Sequence, residues 1–407
     1  MFILEKCTVK NQLIKELEFK LEKGNIHAIG TFLIELEKIG TPLIEKVDNE
    51  NSMVTFIYDS NEEVENIVFF SGFLSPPEEA NLEEHKMEQI KHTNLWHITY
   101  KVRNDIRFMY YFFPNDSLKN QCDKRWDNMK WDKLNKNRLV WREENKEERI
   151  YSFCSMPNSE EDFWAREWKN VPKGSVHEHE FHSKNFKETR KIYVYTPYGY
   201  SKEADPYGYI VLTDAYDYIN ILSSMHTLDN LISQNKIKPT VAILIESTEE
   251  RYEELTCNDK FCETVVSELI PWARERYNIS TNPQEAIIGG TSLGGLTAAY
   301  LGLNHPEVFG NVLSKSGSFW YGPEGHGEKE CWMSSKFREI DKLPLKVYLN
   351  VGILEHSCMR DTNACVRDAL VEKGYPVTYE TFKSGHDYLC WGETFANAMI
   401  SLVGIDE

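Results

Sequence analysis

Apolar residues return every three or four positions near the start of the chain: Leu13, Ile14, Leu17 and Leu21, then Ile29, Phe32, Leu33, Leu36 and Ile39. That spacing predicts two helices within residues 1–45, separated at Gly24-Asn25. Gly40-Thr41-Pro42 supplies the glycine-then-proline stop expected after the second. From about residue 50 the period drops to two. Alternating apolar runs at 53–58, 66–70, 95–102 and 106–113, with polar turns between most of them, predict strands of an antiparallel β-sandwich. Residues 115–172 carry no clear period; Trp126, Trp131, Trp141, Trp164 and Trp168 stand there among charges. From about 175 the pattern alternates between the two periods. Strands are expected at 191–196, 208–213, 241–245, 285–289, 311–314, 346–351 and 377–382, and helices notably at 261–277, 296–303 and 363–373. Such alternation predicts an α/β domain with a mostly parallel sheet covered on both faces. The chain therefore divides into a helical segment (1–45), a β-domain with a Trp-rich linker (46–172) and an α/β domain (173–407).

Composition narrows the function classes. The chain has 407 residues, 41% hydrophobic and 27% charged, and a formal net charge of -18. That is a foldable globular composition, and the acidic balance argues against nucleic acid as a partner. The interleaved Trp and Lys/Arg of 115–172 are then better read as packing aromatics, or as walls of a cleft, than as a base-stacking surface. Any anionic substrate would need a local basic pocket acting against the global field. Nine cysteines without a CxxC pair read as free thiols in a reducing compartment. The N-terminus reaches Glu5 and Lys6 without a long apolar core, and no apolar run is long enough to span a membrane, so a cytoplasmic protein without a membrane partner is expected. Nothing in the pattern specifies an oligomeric state.

The chemistry centres on Gly290-Thr291-Ser292-Leu293-Gly294, between an expected strand and an expected helix. A Gly-x-Ser-x-Gly run in that context is a strand-to-helix elbow that presents the serine oxygen above the sheet. A serine nucleophile needs a base and an orienting carboxylate. Glu355 follows the strand at 346–351 and His386 follows the strand at 377–382, in the order serine, acid, histidine. Asp361 and Asp387 are the competing acids. The Leu293 backbone N–H and that of Tyr216 or Ala215, in the turn after 208–213, are the expected oxyanion donors. Residues 251–258 follow the strand at 241–245. Arg251 there is either a fork for an anionic substrate oxygen or half of an Arg–Glu pair bracing the loop. Residues 316–321 bring Trp320 to the same rim. At strand spacing His177 and His179 share a face with Phe181 while His182 points away, which disfavours a metal site.

With these residues in view, the chain resembles the enterochelin (enterobactin) esterase family within the esterase D-like α/β-hydrolases. The resemblance runs from about residue 30 to the C-terminus. It rests on Gly40 to Glu45, Arg251 with Glu254, Leu255, Cys257 and Asn258, the elbow through Leu296, His305-Pro306-Glu307, the run from Ser314 to Trp320, and Gly385-His386-Asp387 with Leu389-Cys390-Trp391. It implies Ser292, His386 and Glu355 as the catalytic set, and substrate contacts from Arg251, Glu254, Asn258, Trp320 and Trp391. It also implies an Ig-like β-domain that helps shape a pocket for a catecholate ligand. Ala215 departs from the family, which often has glycine after the aspartate, so the oxyanion loop is expected to differ in detail. The implied activity is hydrolysis of a catecholate siderophore trilactone, with no cofactor and with iron entering only as part of the substrate. The alternatives are an esterase for another acyl or aryl ester, and a siderophore-binding protein without turnover.

Overall fold

The computed structural model describes residues 4–71, 81–119, 125–142, 148–160, 163–323 and 331–405. The first three residues of the N-terminus considered above lie outside them. By contacts the chain forms two compact units: residues 1–160 with Lys383–Asp387, and the remainder.

The first unit opens with a strand, Leu4–Cys7, where the sequence suggested helix throughout; it pairs antiparallel with Leu95–Arg103. Helices Gln12–Glu22 and Ala28–Ile39 follow. Asn11 caps the first, its side chain accepting from the Leu13 N–H at 2.8 Å. Gly40, at φ 87°, closes the second. Ile14, Leu17, Phe32 and Leu36 bury the expected apolar faces together, whereas Ile39 stays exposed at the fraying end.

Two antiparallel sheets make up the rest of this unit. One has the order Leu4–Cys7, Leu95–Arg103, Asn51–Asp59, Leu43–Lys46. The other has the order Ile67–Ser71, Arg107–Pro114, Arg149–Ser155, Arg138–Trp141. They face each other through aromatic rings: Phe56 of the first lies 4.3 Å from Phe69 of the second, and Tyr100 lies 5.3 Å from Phe69. Arg138–Trp141 and Arg149–Ser155 come from the stretch in which no period was visible. Arg138–Trp141 is an edge strand with no buried residue, so its alternation carries little apolar contrast. The aromatics of this stretch are occupied: Trp126 packs edge-on against Phe113 at 5.4 Å, and Trp131 carries Arg138 over its ring.

The second unit is built on one sheet. Its strands are β1 (Ser175–Ser183), β2 (Glu188–Thr196), β3 (Gly208–Leu212), β4 (Thr240–Ile245), β5 (Ala286–Thr291), β6 (Asn311–Lys315), β7 (Lys346–Gly352) and β8 (Val377–Phe382). The order across the sheet is β1-β2-β4-β3-β5-β6-β7-β8. Pairs β1–β2 and β2–β4 are antiparallel and all others parallel. Alternate residues feed opposite faces. Val211, Ile243 and Ile288 enter the core under helices such as Leu293–Asn304 and Ser357–Glu372. Ile210, Ala242, Leu244 and Ile287 enter the one under Ser224–Ser233 and Tyr388–Val403. Burial on both faces explains why these strands read as continuous apolar runs.

The single helix expected at 261–277 is interrupted. Between Asp259–Thr264 and Ile270–Arg276 the wider π turn Val265–Leu269 intervenes. Pro271, near the start of the last segment, has no N–H to donate to the usual carbonyl.

Candidate active site

Six loops follow the carboxyl ends of the parallel strands β3 to β8, the edge of such a sheet where sites form. Each carries at least one residue singled out from the sequence.

The loop after β5 is the elbow. Ser292 has φ 57° and ψ -118°, a conformation that costs an L-residue about 1–3 kcal/mol. Backbone bonds on either side hold it there. The Ser292 N–H donates to the Lys315 carbonyl at 2.9 Å, and the Ser292 carbonyl accepts from the Ser318 N–H at 3.0 Å and the Leu296 N–H at 3.1 Å. A Cβ on Gly290 would lie 2.5 Å from the Gly294 carbonyl carbon, and one on Gly294 would lie 2.3 Å from Thr213 Oγ1. Both glycines are therefore required by space. Ser292 Oγ is half-buried and 3.2 Å from Ser318 Oγ. Leu293 begins the helix Leu293–Asn304, whose first N–H groups have no partner within the helix and suit a developing oxyanion.

After β3, Asp214 takes φ 59°, while Ala215 does not have a positive φ. The left-handed step falls on the aspartate itself, so the position after it needs no glycine and accepts the buried Ala215. The Asp214 carboxylate is a hub. It accepts from Ser247 Oγ and from Arg251 Nε, and from Arg251 Nη2 at 2.9 Å. Tyr216, the expected second oxyanion donor, is half-buried and leads into the turn Asp217–Ile221. Asp217 sits beside this pair. Burial, with the Asp214 charge adding to it and Arg251 opposing it, pushes its carboxyl up to about 8.

The loop after β4 divides the residues grouped there from the sequence. Arg251 keeps a third of its side chain exposed and pairs with Asp214, so its brace is an aspartate from another loop. Glu254 is buried and binds Arg190 of β2, with Arg190 Nη1 donating to Oε2 at 3.0 Å. Asn258 caps the helix Asp259–Thr264, accepting from the Phe261 N–H at 3.1 Å and donating to the Glu253 carbonyl at 3.1 Å. The polar groups of Glu254 and Asn258 are thus engaged by the protein itself.

After β6, Ser316 has φ 47° and is fully buried. Trp320 is half-buried and lies edge-on to Tyr321. After β7, Glu355 is 4% exposed. Its Oε1 accepts from the Gly352 N–H at 2.8 Å and from Ser316 Oγ at 2.5 Å. Asp361, a competing acid, is exposed on the helix Ser357–Glu372. Trp391 lies in the helix Tyr388–Val403, 5% exposed, and its Nε1–H donates to Ser316 Oγ at 2.9 Å. It packs in the core beneath that helix, where the resemblance implied a substrate contact. The sequence carried no signal for the Ser316 bonds, since a serine in a loop has no pattern that fixes where its hydroxyl points.

His386 lies in Lys383–Asp387, between β8 and the helix Tyr388–Val403. Within this segment Ser384 Oγ lies 2.7 Å from the Arg107 carbonyl and 2.6 Å from Asp387 Oδ2. Asp387, the other competing acid, is thus engaged by its own loop. Among the described residues no three His, Cys, Asp or Glu side chains are grouped as metal ligands. His179 Nε2 lies 2.6 Å from the Tyr277 hydroxyl, and His177 Nε2 is 3.4 Å from Thr196 Oγ1.

The strand order and the strained serine elbow define an α/β-hydrolase. The Esterase family model matches residues 183–402, more than half of the chain. The chain belongs to this family and is a carboxylic-ester hydrolase. It is similar to the iron(III) enterobactin esterase of Dickeya dadantii (strain 3937), 24% identical over 409 residues, covering 88% of this chain and 89% of that protein. The iron(III) enterobactin esterase of Escherichia coli (strain K12) is 34% identical over 183 residues, 43% of this chain and 44% of that protein, so that match spans less than half of the relative. A crystal structure of the enterobactin esterase from Shigella flexneri in the presence of enterobactin superposes with a TM-score of 0.74 at 24% identity, over 89% of this chain and 95% of that one. No helix among the described residues is long and apolar enough to cross a membrane.

Proposed function

We propose that this protein is a serine esterase that hydrolyses the trilactone backbone of a catecholate siderophore, of enterobactin or bacillibactin type, so that bound iron is released in the cytoplasm. The observation that carries the chemistry is the strained Ser292 held above β5 by backbone bonds on both sides. The substrate class is supported by the nearly full-length similarity to a protein named as an iron(III) enterobactin esterase.

In this reading Ser292 Oγ attacks an ester carbonyl of the trilactone while His386 takes its proton. The backbone N–H groups of Leu293 and Tyr216 receive the charge that develops on the carbonyl oxygen. Collapse of the tetrahedral intermediate breaks the acyl C–O bond, and His386 returns the proton to the departing hydroxyl. Water then attacks the acyl-enzyme by the same route, freeing the carboxylic acid and restoring Ser292. Glu355 orients His386. Its burial supports it over exposed Asp361, and its place after β7 supports it over Asp387, whose Oδ2 lies 2.6 Å from Ser384 Oγ. The chain order supports His386, which is tethered by β8 on one side and by the helix Tyr388–Val403 on the other.

Arg251 contacts the anionic catecholate. Its pair with Asp214 uses Nε and Nη2 and leaves the Nη1 edge of the fork for a ligand. Trp320 supplies an aromatic wall. Glu254 and Asn258 act by fixing the loop that carries Arg251. Iron is cargo of the substrate, and no cofactor takes part.

Mass spectrometry of the products from enterobactin-type and bacillibactin-type trilactones, iron-free and iron-loaded, tests the substrate. Linear fragments, each ester opening adding one water, are expected. Turnover of simple aryl or feruloyl esters with both trilactones left intact would reject the substrate class. Binding of a trilactone with no hydrolysis of any ester would reject catalysis.

A further inference from the structure

Glu355 is buried and one of its oxygens, Oε1, receives two hydrogen bonds, from the Gly352 N–H and from Ser316 Oγ. An indole N–H only donates and a carboxylate only accepts, whereas a hydroxyl has one proton to give. Trp391 Nε1–H donates to Ser316 Oγ at 2.9 Å, so the Ser316 proton is turned towards Glu355 Oε1 at 2.5 Å. The three groups form a one-way line: indole, hydroxyl, carboxylate.

The middle of the line and its indole end are both anchored. Ser316 holds a left-handed φ of 47°, fixed by its own N–H donating to the Asn350 carbonyl at 2.8 Å and by Asn363 Nδ2 donating to the next carbonyl, that of Gly317, at 2.8 Å. Trp391 is gripped by two consecutive residues at the end of β6: its carbonyl accepts from Lys315 Nζ, and its indole donates to Ser316. A buried lysine and a strained serine that both bond the same tryptophan are expensive features, and packing alone does not require them.

We infer that Ser316, aimed by Trp391, is a positioning residue that locks the rotation of the Glu355 carboxylate in the hydrolytic reaction. This rests on the reading of Glu355 as the triad acid. With Oε1 saturated by two donors, the carboxylate has one settled orientation towards the residue it serves. Without them it can turn about its terminal torsion, which is otherwise soft.

The test is a mutant cycle in the full-length protein, following kcat and KM on a trilactone and on an aryl ester, with circular dichroism and Tm as folding controls. Ser316→Ala is expected to lower kcat by about ten- to a hundredfold with KM within about twofold, as misplacement of a catalytic group does. Trp391→Phe, which keeps a ring and removes the N–H, is expected to lower kcat less, and to add nothing when Ser316 is already alanine. In a Glu355→Gln background Ser316→Ala is expected to cost nothing more. An equal loss from Ser316→Ala in both backgrounds would show a merely structural role and overturn the inference. A rise in KM at unchanged kcat would make this a substrate contact and overturn it equally. Glu355→Gln alone at the wild-type rate would overturn the assignment of the acid itself, an outcome distinct from the other two. If Trp391→Phe does not fold, the Ser316 and Glu355 pair decides the matter.

Discussion

At the scale of single residues, the site is governed by where charge is buried. Asp214 is nearly enclosed and is neutralised by the Arg251 fork, while for Asp217 beside it burial and the Asp214 charge outweigh Arg251 and a Tyr388 hydrogen bond and raise the carboxyl to about 8. The folded state therefore holds a proton on Asp217 between its unfolded value near 3.8 and about 8, while the unfolded state does not. Over that window this group makes stability fall as pH rises, by up to about 1.4 kcal/mol per pH unit. Asp217→Asn removes the term. Urea unfolding from pH 5 to 8 is expected to show the variant gaining on the wild type as pH rises; a constant difference would contradict the buried-acid account. The placement of Ser292, Glu355 and His386 after β5, β7 and β8 was legible in the sequence, because each follows an expected strand. The partners of Glu254, Asn258 and Trp391 were not. Each of these side chains is taken up by a residue distant in sequence or by local backbone, and spacing along a chain does not encode that.

At the scale of elements, strands of the second unit were legible because apolar runs bounded by turns mark a doubly covered sheet, and the elbow was legible because its glycines have no alternative. A Cβ at Gly290 would strike main-chain atoms that cannot turn aside. Gly290→Ala is expected to cost about 1–3 kcal/mol, as overpacking of a tight site does, and to lower activity by displacing Ser292. Chemical denaturation checks the first part; a variant as stable and active as the wild type would contradict the tight elbow. Other elements were hidden for physical reasons. Leu4–Cys7 is too short to show a period and exists because Leu95–Arg103 offers it an edge. Arg138–Trp141 buries none of its residues. The π turn before Pro271 follows from a missing N–H, but the apolar spacing on either side still reads as one helix.

At the scale of the whole molecule, the net charge of -18 sets the terms on which an anionic siderophore arrives. Long-range repulsion is screened by salt, whereas a contact with Arg251 inside the site is screened far less. kcat/KM for a ferric catecholate trilactone is therefore expected to rise by roughly a few-fold between about 0.01 M and about 0.15 M ionic strength, with little change for an uncharged ester. A steep fall with salt would contradict this and point to a net attractive field. The central claim is that Ser292 forms an ester with the trilactone's acyl group. Its most direct test is peptide mass spectrometry of protein acid-quenched during trilactone turnover. An acyl adduct is expected on the peptide containing Ser292 and is expected to be absent from Ser292→Ala, which also loses hydrolysis by several orders of magnitude. Full turnover by Ser292→Ala, or an adduct on another residue, would contradict it.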